Sequence, residues 1–314
     1  MVDLIAKRRR YIKTPGIIWL EFIYIRTMKA YRIIVCYLTL ISCLQFVNAQ
    51  QNTGATNGKL FIIGGGDRPP ALMKSLANTA ALGKNDYAVV LPMSSAEPDT
   101  SFYYFKADWI TVSDKPMVNF NFTTATVNDK NRLDSLKKAK LIFITGGDQD
   151  RFMKIVANSA VYAAIQYAYQ HGATIAGTSA GAAVMSKYMI TGNAFSDTVY
   201  RATFRSLISN NIEFKTGLGL ISNAIIDQHF VVRSRYNRLL SALAQYPSNT
   251  CIGIDEATAI IVRGNVIKVS GEGQVIVIKK PKQLKFTANK LIKFTDISFS
   301  IFTDGDEFLI GSGK

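Results

Sequence analysis

Residues 173–182 read Ala173-Thr174-Ile175-Ala176-Gly177-Thr178-Ser179-Ala180-Gly181-Ala182, and this stretch decides the fold. A short apolar run, suited to a buried strand, enters a Gly-x-Ser-x-Gly turn that opens a helix expected over Ala182–Tyr188. Strand, sharp turn and helix in that order are the context a nucleophile elbow requires. Flanking glycines let the backbone turn and expose the Ser179 hydroxyl. The helix start offers free N–H groups, Ala180 first, to a developing oxyanion.

The text on either side repeats the strand–glycine pattern. Lys59–Ile63 is an apolar run stopped by Gly64-Gly65-Gly66, and Lys140–Ile144 is stopped by Gly146-Gly147. Tyr87–Leu91 and Met117–Phe122 read as further strands. Helical spacing covers Met73–Leu82, 99–109, Arg132–Ala139 and about Asp150–Gln170, the last ending at His171-Gly172. Short buried strands between helices predict an α/β fold, a mostly parallel sheet covered on both faces. From Cys251 onward the text turns β-rich, which predicts antiparallel strands closing a single domain over 59–314. Ligands of such sheets bind beyond the carboxyl ends of the strands, where Gly64–Asp67, Gly146–Gln149 and Gly177–Gly181 sit. None of these carries a dinucleotide or P-loop spacing, so no nucleotide cofactor is expected.

Composition is that of a globular chain of 314 residues, 48% hydrophobic and 19% charged. Of the net charge of +15, residues 1–49 supply +6, from eight basic and two acidic residues. The remaining 29 basic and 20 acidic residues are scattered rather than clustered, which argues against a nucleic-acid partner. Met28-Lys29-Ala30-Tyr31-Arg32, the apolar Ile33–Leu44 and Val47-Asn48-Ala49 read as an export signal with its true start at Met28, followed by a flexible leader over 50–58. Leu40-Ile41-Ser42-Cys43 resembles a lipobox, so a lipid anchor at Cys43 is the competing reading of the same segment. Only Cys251 remains beyond residue 49, which leaves no internal disulfide and no cysteine-based metal site.

A serine nucleophile needs a base, and the chain has two histidines. His171 reads as a helix cap, which leaves His229, in Asp227-Gln228-His229-Phe230, as general base. Three acids could orient it: Asp197, Asp227, on the same face if both lie in a strand, and Glu256. Arg233, Arg235 and Arg238 follow closely and either form a solvated face or receive a carboxylate by bidentate pairing.

Taken in order, Gly64–Asp67, Thr145-Gly146-Gly147-Asp148-Gln149, Gly177–Ala182, Asp227–Phe230 with the three arginines, and Gly253–Glu256 resemble the cyanophycinase family of serine peptidases, the group that includes aspartyl dipeptidase. The resemblance spans about Lys59 to Val262. It implies a sandwich similar to class I glutamine amidotransferases, with serine replacing their cysteine. It also implies attack on β-aspartyl–arginine linkages of cyanophycin, with release of β-Asp-Arg dipeptides, and a homodimer. Carried over, the triad is Ser179, His229 and Asp197, where the family favours glutamate. Gly147 supplies a second oxyanion N–H, and Gln149, Asp227, Gln228, Arg233, Arg235 and Arg238 line the substrate pocket. No cofactor or metal is implied. An α/β-hydrolase esterase and a non-catalytic exported binding protein are the competing classes, and the segment from about 263 carries no assigned role.

Overall fold

The five apolar runs read as strands before the serine take adjacent places in one eight-stranded sheet. The computed structural model describes residues 57–196 and 206–311; the segment read as an export signal, most of the residues read as a leader, and Asp197 lie outside them. In chain order come β1 (Lys59–Ile63), α1 (Pro70–Ala80), β2 (Ala88–Leu91), α2 (Pro98–Trp109), β3 (Met117–Asn119), α3 (Lys130–Lys138), β4 (Leu141–Ile144), α4 (Gln149–Val156), α5 (Ala160–Gln170), β5 (Thr174–Thr178) and α6 (Ala180–Ala183). There follow β6 (Tyr188–Ala194), β7 (Ile212–Thr216), β8 (Ala224–Gln228), α7 (Tyr236–Gln245), β9 (Thr250–Ile254), β10 (Thr258–Arg263), β11 (Val266–Gly271) and β12 (Val275–Lys282). The chain closes with β13 (Lys285–Phe286), β14 (Ile292–Lys293), β15 (Asp296–Phe302) and β16 (Glu307–Leu309).

The large sheet has the order β16-β11-β10-β1-β5-β4-β2-β3. Its five strands from β1 to β3 are parallel, and β10, β11 and β16 extend it antiparallel. A second sheet, β15-β12-β9-β8, holds β8 and β9 parallel. Successive side chains of the central strands serve opposite cores, as the two-residue period of a strand demands. Leu60, Ile62, Ile142, Ile144 and Ile175 pack on one face with α5 and the inner residues of the second sheet. Phe61, Ile63, Leu141, Phe143 and Ala176 pack on the other face against α1 and α2.

Three expected elements come out shorter, each for a local reason. The helix expected over 150–170 breaks at Ala157-Asn158-Ser159, where Asn158 is left-handed (φ 58°) and Ser159 caps α5 by accepting from the Tyr162 N–H. The helix after Ser179 stops at Ala183 because the backbone beyond it is claimed elsewhere. Leu218 N–H bonds the Val184 carbonyl at 2.6 Å, and Lys187 N–H bonds the Ile221 carbonyl at 3.0 Å. The strand from Met117 ends at Asn119, with one further bond from Phe120 to Val90. His171 caps α5 as expected, its Nδ1 2.8 Å from the Tyr167 carbonyl.

Ile175 is fully buried in β5, between β1 and β4, in the strand that leads directly to the serine. Ile175→Ala is therefore expected to lower unfolding free energy by about 2–5 kcal/mol, as for other cavity-forming core truncations. Urea titration checks this, and a loss below about 1 kcal/mol would contradict the close packing assigned to β5.

Candidate active site

The ends of β1, β2, β4 and β5 converge with the turn after β8 on one side of the large sheet. Ser179 follows β5 directly, with φ 52° and ψ −110°, a left-handed backbone unusual for a residue with a side chain. The crossing of strand and helix is too close for a side chain at Gly181, where a Cβ would lie 2.2 Å from the Ile144 carbonyl oxygen. His229, just past β8, is also left-handed (φ 47°). Its Nε2 lies 2.9 Å from Ser179 Oγ and its Nδ1 lies 2.5 Å from Glu256 Oε1. An Nδ1–H donated to the carboxylate leaves Nε2 as the acceptor for the serine proton. Glu256 sits in the turn by which the chain leaves β9 of the small sheet and enters β10 of the large one.

Three consecutive carbonyls hold this arrangement together. Ile63 O accepts from Ser179 N–H at 3.1 Å, Gly64 O from His229 N–H at 2.7 Å, and Gly65 O from Ala257 N–H at 3.0 Å. The His229 ring lies directly over the loop: a Cβ on Gly65, itself at φ 115°, would come within 2.3 Å of the ring. The two carboxylates of the β9–β10 turn divide the work around the histidine. Asp255 Oδ1 accepts from the Val231 and Val232 amides at 3.1 Å each, fixing the turn after His229, while Glu256 takes the ring.

The N–H groups expected to receive an oxyanion are unencumbered. Among the described residues, neither the Ala180 nor the Gly147 N–H bonds any protein group. Gly147 has φ 134°, and the neighbouring Gly146 would place a Cβ 3.4 Å from Ser179 Cβ, so this turn runs beside the serine. Ser94 anchors the turn, its hydroxyl donating to the Thr145 carbonyl at 2.6 Å and its carbonyl accepting from Asp148 N–H at 2.8 Å.

Among the described residues, the acid in contact with the histidine is Glu256, and Asp197 lies outside them. Asp227 faces elsewhere, because the strand ends at Gln228 and the left-handed His229 breaks the alternation that would have put both on one face. Both Asp227 oxygens engage the Arg238 guanidinium. Four further residues expected in the substrate pocket are likewise committed to protein partners. Arg235 donates to the Gln228 carbonyl at 2.6 Å and also to the Gln228 side chain. Gln149 donates to the Ile190 and Thr191 carbonyls at 2.9 and 2.6 Å. Gln149, Asp227, Gln228, Arg235 and Arg238 are all buried, and Arg233 is half-buried on the turn before α7. None of the six borders the cleft in front of Ser179. That cleft, about 890 Å³, is bordered instead by Asp67, Arg68, Glu97, Tyr104 and Asp108, together with Thr178, Ser179 and His229. Asp67, Thr178, Ser179 and His229 belong to motifs singled out in the sequence, whereas Arg68, Glu97, Tyr104 and Asp108 do not. Glu97 could have been found as the residue before a helix-starting proline, beyond the end of a buried strand.

The comparisons with known proteins bear on the family and the fold. The model of Peptidase family S51 matches residues 60–270, well over half of the chain. The chain belongs to Peptidase family S51. The matched S51 region contains Ser179, His229 and Glu256 and ends in β11. A cyanophycinase of Trichormus variabilis is 37% identical over 182 residues, 55% of this chain and 58% of that protein. One from Geminocystis herdmanii is 39% identical over 152 residues, 48% of this chain and 53% of that protein. One from Synechococcus elongatus is 28% identical over 235 residues, covering 69% and 67%. The chain thus aligns with little over half the length of the first two relatives. Among solved structures, a peptidase from an acI-B1 Actinobacterium shares the fold with a TM-score of 0.59 at 22% identity, over 82% of this chain and 98% of that one.

Burial holds the His229 imidazole below its ordinary value, the bond to Glu256 pushes it back up, and the Arg233 charge pushes it down again. A base must be neutral to act, so the acidic limb of kcat/KM is expected below the ordinary histidine range. Arg233→Gln removes a positive charge that disfavours imidazolium and is expected to move that limb to higher pH. A pH–rate profile reads the shift; an unmoved limb, or one moved lower, would separate Arg233 from the histidine.

Proposed function

We propose that this S51 chain is a serine peptidase acting through a seryl acyl-enzyme on polymers or peptides built of β-Asp-Arg units. The observation that carries the reading is the continuous hydrogen-bond chain Ser179 Oγ, His229, Glu256, next to two unpaired N–H groups. The cyanophycinase relatives support the substrate class. His229 Nε2 takes the hydroxyl proton as Ser179 attacks the scissile carbonyl carbon. The oxyanion is met by the Ala180 and Gly147 N–H groups, each worth about 3 kcal/mol in comparable sites. Glu256 stabilises the imidazolium and keeps its tautomer. The imidazolium then protonates the leaving amine, and water repeats the cycle on the ester.

The product fixes which bond is broken. A released β-Asp-Arg dipeptide retains its β-aspartyl–arginine amide, so that amide is not the scissile one, contrary to the expectation drawn from the resemblance. Cutting it would free arginine instead. We assign the cut to the amide joining one dipeptide unit to the next.

Incubation of cyanophycin with the mature protein is expected to give β-Asp-Arg and little free arginine by mass spectrometry. Ser179→Ala should abolish turnover. Glu256→Gln should lower kcat by a factor of about 10²–10⁴, the range for loss of an orienting acid, whereas Asp197→Asn should leave it near wild type. The reverse order of the two acid variants would return the orienting role to Asp197. Hydrolysis of activated esters without amide cleavage would favour an esterase.

We also propose export, supported by the basic, apolar and small-residue succession of Met28–Ala49. Expression in a bacterial host should give a periplasmic or secreted product whose intact mass begins at Gln50, or a lipidated one beginning at Cys43. A cytoplasmic product retaining residues 28–49 would sink the proposal.

A further inference from the structure

One edge of the small sheet is long, apolar and bare. β15 ends the order β15-β12-β9-β8, and among the described residues nothing pairs with its outer side. The other outer strands of the two main sheets are short or covered: β3 and β16 have three residues each, and β8 is buried throughout. β15 has seven residues, and from Ile297 to Phe302 it carries neither charge nor proline. Phe299 and Ile301 lie opposite Ile278 and Ile276 of β12 and so share their face of the sheet. The two β12 residues are buried in one cluster with Leu239 and Leu243 of α7, whereas Phe299 and Ile301 stay 49% and 52% exposed. Edges of natural sheets are shielded by charges, prolines or a covering segment, because a bare one templates another strand. β15 lies beyond residues 60–270, so this edge is no part of the S51 match.

The strand is also its own complement. Ile297-Ser298-Phe299-Ser300-Ile301 reads the same in both directions. Two copies of β15 paired antiparallel about a two-fold axis through Phe299 set Phe299 against Phe299, Ser298 against Ser300 and Ile297 against Ile301. The apolar side chains then meet on one face, as aromatic and β-branched cross-strand pairs favour, and the contact is isologous. The same register brings opposite charges together. Before β15, the hairpin of β13 and β14 presents Lys285, Lys290 and Lys293, all exposed and, among the described residues, in no ion pair. After it, the turn 303–306 presents Asp304 and Asp306, exposed and likewise without a cation among the described residues. Asp304 Oδ1 accepts from Gly271 N–H at 3.0 Å and Asp306 Oδ2 from Thr303 N–H at 2.8 Å, so both carboxylates are held in place. Antiparallel pairing sets the lysine end of each copy towards the acid end of the other.

We propose that β15 is the interface between two copies of this chain, joined antiparallel through Phe299 so that their small sheets become one continuous sheet. Light scattering after size-exclusion chromatography of the mature protein at micromolar concentration is expected to give twice the mass of one chain. Phe299→Lys removes the central apolar pair and sets like charges opposite each other, and should raise the dimer dissociation constant at least about tenfold. Phe299→Cys reads the register. Residues directly opposite in an antiparallel pair have Cα atoms about 4.5–5.5 Å apart, within reach of a disulfide, so oxidation should give a covalent dimer on a non-reducing gel. Ile301→Cys should give none, because it faces Ile297 of the other copy. Cys251 is buried and stays out of the exchange. Both positions are half exposed, so thermal melts of the three variants are expected to stay near wild type. A monomeric wild type, a dimer untouched by Phe299→Lys, or cross-linking through Ile301→Cys in place of Phe299→Cys overturns the interface. So does a monomer in which Phe299→Cys is shielded from a thiol reagent. That result would give the edge to the chain's own residues 197–205, which lead into the segment that bonds the hairpin through Leu207 and Ser209.

Discussion

The carbonyls of Ile63, Gly64 and Gly65 are the constraint on which the site depends. Each accepts one N–H, and the three donors are Ser179, His229 and Ala257, all left-handed at φ 52°, 47° and 51°. A non-glycine residue in that region costs about 1–2 kcal/mol, so three of them persist only where surrounding bonds over-determine them. The loop after β1 provides that over-determination. It also explains why glycine occupies 65 and 66: a side chain at either would enter space held by the His229 ring or by Glu256. Ser179, His229 and Glu256 come from three separate strand ends, and one extended loop sets their relative positions.

The acid is placed by a part of the chain with no obvious chemistry. Glu256 lies where the chain crosses from the small sheet to the large one, and a turn between two sheets would be free to move if its ends alone were held. The connection between β11 and β12 supplies the rest. Glu272 N–H bonds the Ala257 carbonyl at 3.1 Å, Gly273 N–H bonds Thr258 Oγ1 at 2.7 Å, and Asp255 N–H bonds the Gln274 carbonyl at 3.1 Å. β11 then continues the large sheet and β12 the small one, so the brace is tied to both. The β-rich segment beyond 263 thereby acquires a role: it immobilises the carboxylate that faces the histidine.

Most of the fold was legible because its central strands are short, wholly apolar and stopped by glycine, a pattern that buried parallel strands impose. Ser179 and His229 were legible for chemical reasons, the elbow context and the scarcity of histidine. The histidine's carboxylate partner was narrowed only to three candidates, Glu256 among them, because that contact depends on a turn between two sheets that no spacing rule describes. The partners of the buried arginines were not legible for a related reason. Sequence shows three cations near a histidine, but only the fold shows that Asp227, one strand away from α7, takes up Arg238, and that the Gln228 carbonyl takes up Arg235. The short α6 was unreadable because tertiary bonds from 217–221 override a good local helix pattern.

The Asp227–Arg238 pair shows how the site is fixed from behind as well as from the cleft. At 1% and 5% exposure both charges are removed from water, and such a pair rarely adds net stability because desolvation offsets most of the attraction. Its geometry is what matters here. Asp227 is the fourth residue of β8 and Arg238 the third of α7, so the pair pins strand to helix across the turn that carries His229. Asp227 Oδ1 also accepts from Gln228 N–H at 2.8 Å, and Gln228 in turn takes Arg235. With strand and helix locked by two-pronged bonds and the intervening turn capped by Asp255, the His229 backbone has no neighbouring segment able to relax its left-handed conformation. Loss of either buried partner would leave an uncompensated charge at the root of that turn.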